Sequence, residues 1–275
     1  MKRIVTIQDF SCVGKCSLTS VLPVISAAGV EACGIPTALL SNHTGFDTFY
    51  SKDLTEELVP IGRQLKREKI DFDAVYTGYI ASIRQMELIS EFIDDFKGKD
   101  TLIFVDPVMG DNGRIYSGLS EDYPQHLLKL CRKADILAPN LTEACLLLDR
   151  EYSPHISRNK LEPMLRELYS LCGRYAFITG VRQGDDIGAV GFDGESFYES
   201  FMPHEDIVIA GTGDIMSAAF LGAVMRGADY NKALDIAVRF SHEAVRLTVE
   251  ATDKRFYGVH FELALPYYIK EIGNI

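Results

Sequence analysis

The sequence predicts an α/β fold, with a central, mainly parallel β-sheet and helices on both faces. Short apolar runs alternate with longer stretches of helical spacing along the chain, and repeated strand–helix units pair in parallel under their crossover helices. The chain's 275 residues, 47% of them hydrophobic, are enough for one large core. No Pro/Gly/Ser-rich linker and no internal repeat divides them, so residues 1–275 read as a single domain.

Residues 3–8 read as the first strand, built on Ile4, Val5 and Ile7. Residues 18–28 read as a helix, bent or broken near Pro23, which fixes φ and removes an N–H. Residues 32–40 are extended. Apolar residues at 54, 58, 61 and 65 predict a helix over 54–69, capped by Asp53 or Thr55. Strands follow at 74–77, 101–105, 136–138 and 175–179, with helices at 82–96 and 141–148, the latter N-capped by Asn140. Residues 188–192 and 196–201 suit a hairpin across Asp193-Gly194. Helices over 214–225 and 231–250 follow. Residues 110–122, with glycines at 110, 113 and 118, form the longest irregular loop and a candidate lid.

Ligands in open α/β sheets lie beyond the C-terminal ends of the strands. Those ends carry polar residues and glycines throughout: Gln8-Asp9, the run Ser41-Asn42-His43-Thr44-Gly45, Thr77-Gly78-Tyr79, Asp106 to Asp111, Pro139 to Glu143, and Thr179-Gly180. They are expected to form one rim.

The formal net charge is −11, and no Lys/Arg run exceeds two residues. A nucleic-acid binder would present a basic face, so that class is set aside. No apolar run approaches the ~18 residues that span a bilayer, and Gln8 and Asp9 interrupt the N-terminal apolar stretch too early for a signal peptide. The six cysteines form no C-x-x-C pair and fit reduced thiols in a cytoplasmic protein.

The strongest chemical motif is Gly211-Thr212-Gly213-Asp214, followed at once by a run of small and apolar residues. Unpaired amides at a helix N-terminus bind anions. A carboxylate beside them can take the proton of an alcohol while the amides hold a phosphoryl group, which points to a small-molecule kinase with Asp214 as general base. Glu143, three residues after Asn140, fits a capping box and equally a water-mediated Mg²⁺ contact. Asp106, before Pro107, is a turn residue or a second carboxylate near metal and phosphates. Tyr79 is a ring-packing residue or a substrate contact. His126, His155, His242 and His260 have no partner at metal-ligand spacing. Gly14-Lys15-Cys16-Ser17 mimics the end of a P-loop, but Asp9 stands where the first glycine belongs and Cys16 follows the lysine, so the sequence argues against a P-loop NTPase.

Taken in order, Ile7-Gln8, Ser41 to Gly45, Thr77 to Tyr79, Asp106 to Gly110, Ala138 to Glu143 and Gly211 to Asp214 resemble the pyridoxal/pyridoxamine kinases of the ribokinase-like superfamily. The resemblance runs from about Ile4 to Arg246 and implies ATP-dependent phosphorylation of the 5′-hydroxymethyl group of a vitamin B6 vitamer. It implies Asp214 as the base, with the amides of Gly211, Thr212 and Gly213 on the travelling phosphoryl. Asp106, Asn140 and Glu143 would serve Mg²⁺ and the phosphates, and Thr179 would touch ATP. Thr44 and Tyr79 would hold the ring, and residues 110–122, with Tyr116, would act as a flap. Mg²⁺ and ATP are the implied requirements, a monovalent cation is a further candidate, and a homodimer is the usual assembly.

The chain departs from that family at Asp9-Phe10, where many members carry serine and then histidine. Asp9 is therefore expected to face the ring nitrogen or another cationic part of the substrate and to favour its protonated form, where a charge-assisted hydrogen bond outweighs a serine's. A hydroxymethylpyrimidine kinase is the alternative that this change leaves open. A sugar kinase fits poorly with Phe10, Phe46 and Tyr79, and a catalytically silent sensor would not need an intact Gly-Thr-Gly-Asp.

Overall fold

The computed structural model describes residues 1–252 and 257–275. Nine strands build the main sheet: β1 (Arg3–Ser11), β2 (Glu31–Leu40), β3 (Ser51–Asp53), β4 (Ala74–Thr77), β5 (Leu102–Val105), β8 (Ile136–Leu137), β9 (Tyr175–Gln183), β10 (Asp186–Phe192) and β11 (Phe197–Pro203). Two short strands, β6 (Gly110–Asp111) and β7 (Arg114–Ile115), form a separate hairpin. The order across the sheet is β11-β10-β9-β8-β5-β4-β1-β2-β3. The pairings from β2 through to β9 are parallel, and β3, β10 and β11 add antiparallel edges.

Alternation along the strands divides the core in two. Ile4, Tyr76, Phe104 and Phe177 point to one face and pack against α1 (Leu18–Ala27), α7 (Thr212–Arg226), α8 (Tyr230–Glu250) and α9 (Phe261–Gly273). Val5, Val75, Ile103 and Ile178 point to the other. There they meet α2 (Leu58–Arg67), α3 (Ile83–Phe96), α4 (Tyr123–Cys131), α5 (Leu141–Leu147) and α6 (Arg158–Cys172). Strands covered on both sides read as continuous apolar runs, as these do.

The structure corrects several expected boundaries. The first strand continues past Gln8 to Ser11, through a register shift between Gln8 and Phe10. Helix α1 is continuous through Pro23, with Val21, Val24 and Ile25 buried around it; packing on the sheet compensates for the missing N–H. The expected helix over 54–69 opens as a 3-10 turn, Thr55–Glu57, and Asp53 accepts from the Thr55 amide at 2.6 Å. Strand β9 runs on to Gln183, well beyond residue 179.

Helices α4, α6 and α9 were not anticipated. Pro124 opens α4, and Pro163 and Pro266 stand inside the other two. Interior prolines argue against helix locally, and burial of residues such as Leu165 and Tyr268 overrides them in α6 and α9, whereas Pro124 sits in a first turn that tolerates it. The candidate lid over 110–122 holds the small β6–β7 hairpin at its base.

Candidate active site

A cavity of about 600 Å³ opens at the C-terminal edge of the parallel strands. Asp106, Tyr116, Asn140, Glu143, Thr179 and the Gly211 to Asp214 turn all line it. Five stretches of the chain thus converge there, as the strand-end rule requires.

Gly211 is the N-cap of α7, with φ 87°, and no side chain caps that helix. A β-carbon on Gly211 would lie 1.8 Å from the Lys15 carbonyl oxygen, so only glycine fits. The uncapped first-turn amides border the cavity, an anion cradle by construction. Asp214 sits in that turn. The Ser17 amide donates to its Oδ2 at 2.9 Å. Burial pushes its carboxyl up to about 7, with the Asp9 charge adding and the Ser17 amide opposing. A base poised near neutral pH suits removal of a proton from an alcohol.

Asp106 is 7% exposed and accepts from the Ser217 hydroxyl at 2.8 Å. Its carboxyl is pushed up to about 7, chiefly by burial, with the Ser217 bond opposing and the Asp214 charge adding. Glu143 completes the expected capping box. Its Oε2 accepts from the Asn140 amide at 2.8 Å, while the Asn140 Oδ1 accepts from the Glu143 amide at 2.9 Å. The other oxygen, Oε1, accepts from the Met109 amide at 3.0 Å. Burial, then the Asp106 charge, moves the Glu143 carboxyl well above the usual range.

Two buried carboxyls that repel one another are a natural seat for a cation. Among the described residues, no three metal-binding side chains come close enough to enclose an ion on their own. Carboxyl oxygens are the donors that Mg²⁺ takes, in company with water and substrate phosphates.

Asn140 Nδ2 donates to the Gly110 carbonyl at 2.9 Å, and the Gly113 amide donates to Thr142 Oγ1 at 2.9 Å. These bonds anchor the β6–β7 hairpin to the start of α5. Tyr116 extends from this hairpin into the cavity wall and is 41% exposed as a residue. Thr179 pairs with Asn140 through an isolated parallel bridge.

The three expected ring-binding residues are distributed differently. Asp9 and Tyr79 lie outside the cavity lining but close to it: the Asp9 charge raises both the Asp214 carboxyl and, after burial, the Tyr79 hydroxyl. Asp9 itself is 7% exposed and raised by burial, against hydrogen bonds from the hydroxyls of Ser17 at 2.6 Å and Ser11 at 3.3 Å. Thr44 is exposed on the loop between β2 and β3 and is not brought to the cavity wall. Its neighbour His43 anchors that loop, with Nδ1 accepting from the Gly45 amide at 2.9 Å and Nε2 set 2.9 Å from the Tyr257 carbonyl.

Sequence reasoning missed Ser17 and Ser217. The turn set aside as a false P-loop contributes the Ser17 amide to Asp214 and seats Lys15 against Gly211. Ser217, three residues after Asp214 on α7, was legible only as one more small helix residue. Arg182, His204, Glu205, Ile207, Val208 and Ile209 also line the wall, with Arg182 Nη2 3.0 Å from His204 Nε2.

A profile of the phosphomethylpyrimidine kinase family matches residues 19–259 of this chain. A Bacteroides thetaiotaomicron protein, named for phosphomethylpyrimidine kinase activity and solved in a crystal form with pyridoxal, superposes with a TM-score of 0.92 at 34% identity, covering 97% of this chain and 95% of its own. Pyridoxal kinase from Lactobacillus plantarum gives a TM-score of 0.90 at 30% identity, over 98% and 97% of the two chains. Pyridoxal kinase of Arabidopsis thaliana is 26% identical over 266 residues, 90% of this chain and 82% of the relative.

Proposed function

This chain belongs to the phosphomethylpyrimidine kinase family, and we propose that within it the protein transfers the γ-phosphoryl of ATP to the 5′-hydroxymethyl group of a vitamin B6 vitamer. Residues 1–275 act as one ribokinase-like unit in this reading. The observation that carries it is the Gly211 to Asp214 turn, where an uncapped helix N-terminus and a carboxylate raised to about 7 share one cavity wall. Asp214 takes the proton of the hydroxymethyl group. The amides of Gly211, Thr212 and Gly213 steady the charge that develops on the phosphoryl oxygens.

Asp106 and Glu143 hold Mg²⁺ in this reading, partly through water, and the ion supplies charge neutralisation for the transferring phosphates when bound. Asp106, Tyr116, Asn140 and Thr179 border the nucleotide. Tyr116 and its hairpin exclude water from the phosphates, which limits futile hydrolysis. Asp9, Tyr79 and Thr44 face the acceptor ring, and Thr44 reaches it only if its loop closes inward from its exposed position. A homodimer, a cytoplasmic location and a role for a monovalent cation belong to the same reading. Sedimentation, fractionation and a K⁺/Na⁺ activity comparison check them.

Hydroxymethylpyrimidine is the second acceptor to consider, because the family is named for a kinase of a related pyrimidine, phosphomethylpyrimidine. The deciding experiment measures ADP formation with pyridoxal, pyridoxamine, pyridoxine, hydroxymethylpyrimidine and several sugars. Turnover confined to the pyrimidine, or to sugars, would overturn the B6 reading.

A further inference from the structure

Ser17 connects two carboxylates that come from opposite ends of the chain. Its main-chain N–H donates to Asp214 Oδ2 at 2.9 Å, and its hydroxyl donates to Asp9 Oδ1 at 2.6 Å. The residue is buried, and its φ of 48° lies in the left-handed region, which a non-glycine residue occupies at a cost. Its surroundings hold it there. Its carbonyl caps the first turn of α1, accepting from the Val21 amide at 2.9 Å and the Ser20 hydroxyl at 3.1 Å. Two residues earlier, the Lys15 carbonyl sits against Gly211, so the turn and the Gly-Thr-Gly-Asp segment are packed backbone to backbone.

Asp9 has an unusual environment for a buried carboxylate. The side-chain donors it receives among the described residues are both serine hydroxyls, Ser17 and Ser11. The charged or titratable groups that influence it or feel its charge are His43 from the β2–β3 loop, Tyr79 after β4, Cys16 beside Ser17, and Asp214 on α7. His43 is the one imidazole of that set, and no lysine or arginine stands among them. A buried acid supplied only with neutral donors keeps a lone pair and a charge available for a substrate cation or N–H.

We propose that Ser17 is a positioning residue that acts on both carboxylates at once, its amide orienting the base Asp214 and its hydroxyl fixing Asp9 toward a donor or cationic group on the acceptor ring. The inference rests on the kinase reading above and adds to it a physical link between acceptor choice and base alignment. The side chain of Ser17 serves recognition and its main chain serves chemistry, so the two functions are separable by mutation. Ser17→Gly keeps the N–H, suits the positive φ and removes only the hydroxyl. Ser17→Ala removes the hydroxyl while keeping the β-carbon.

The test is a double-mutant cycle of Ser17→Gly with Asp9→Asn, measured as acceptor KM and kcat, together with carboxyl ¹³C titration of Asp9 and Asp214. Expected for Ser17→Gly is an acceptor KM raised about tenfold, the worth of one charge-assisted hydrogen bond, a larger factor than the accompanying fall in kcat. In the Asp9→Asn background the same substitution adds nothing further. The Asp9 carboxyl titrates at higher pH in Ser17→Gly, because a donor to its ionised form is gone. Ser17→Ala repeats the pattern if glycine loosens the turn too far to fold. Additive effects in the cycle, or an Asp9 titration unchanged from the parent, overturns the proposal. A parent with no turnover on any B6 vitamer sinks the functional reading instead, and the carboxyl titration still decides the role of Ser17.

Discussion

Ser217 donates its hydroxyl to Asp106 at 2.8 Å, from the helix that carries Asp214 one turn earlier. Helix α7 thus controls one candidate metal carboxylate and the candidate base together. Ser217 is 2% exposed, so no water replaces it easily. Replacing Ser217 with alanine removes a bond that favours ionised Asp106. The expected outcome is a loss of about 1.5–3 kcal/mol of support for that charge, read as a higher Mg²⁺ requirement and an acid limb of kcat/KM moved to higher pH. An unchanged pH profile would show that the bond is only structural.

Asp214→Asn retains the shape of the turn and removes the base. Turnover should fall by about 10²–10⁴-fold, the usual worth of general-base catalysis. Binding of a non-hydrolysable ATP analogue, measured by calorimetry, should persist. Near-normal turnover in this variant would transfer the role to another group.

Asp9→Asn removes a negative charge that raises the Asp214 carboxyl. The acid limb of kcat should therefore move to lower pH, opposite in direction to Ser217→Ala. Ratios of kcat/KM between pyridoxamine, pyridoxal and pyridoxine should change together with it. Equal ratios before and after would mean that Asp9 does not face the acceptor.

Gly211→Ala places a β-carbon 1.8 Å from the Lys15 carbonyl at φ 87°. Backbone must shift, because neither atom belongs to a flexible side chain. A stability loss of roughly 1–3 kcal/mol is expected from the strain, with a disproportionate loss of activity since the anion cradle moves. Thermal unfolding alongside kinetics separates the two effects.

The raised carboxyls also set a pH dependence of stability. Asp106 and Asp214 reach about 7 in the folded protein, against an ordinary 3.8. Between those values the folded state binds more protons than the unfolded one, so this contribution favours folding at low pH and is lost as pH rises towards 7. Asp214→Asn removes its share. That variant should be more stable than the parent at pH 8, by about 1–3 kcal/mol after allowance for a partly solvated cleft, and the gap should narrow as pH falls below 7 and close near the ordinary value of 3.8. Chemical denaturation at the two pH values checks it.

Much of the site was legible because its chemistry requires special residues at strand ends. Gly211 declares itself by the turn it must make, Asn140 and Glu143 by their three-residue capping spacing, and Asp106 by its place after an apolar strand. Thr44 sat in an equally suggestive motif, yet its loop holds it in solvent while His43 makes the anchoring contacts. Helices α6 and α9 were hidden because Pro163 and Pro266 argue locally against helix, and their burial energy comes from residues distant in sequence.

By itself, the sequence determined the alternation of strand and helix, and with it the parallel sheet and the rim on which polar residues gather. It also marked the anion-binding turn, because two glycines flanking a threonine ahead of a carboxylate and a run of small residues announce a tight turn into a helix. Only the tertiary structure decided which groups meet there. The amide of Ser17 reaches Asp214 across 197 positions, and the hydroxyl of Ser217 reaches Asp106 across 111. Such pairings leave no local periodicity, since a hydrogen bond depends on where packing brings its two atoms and not on their separation along the chain.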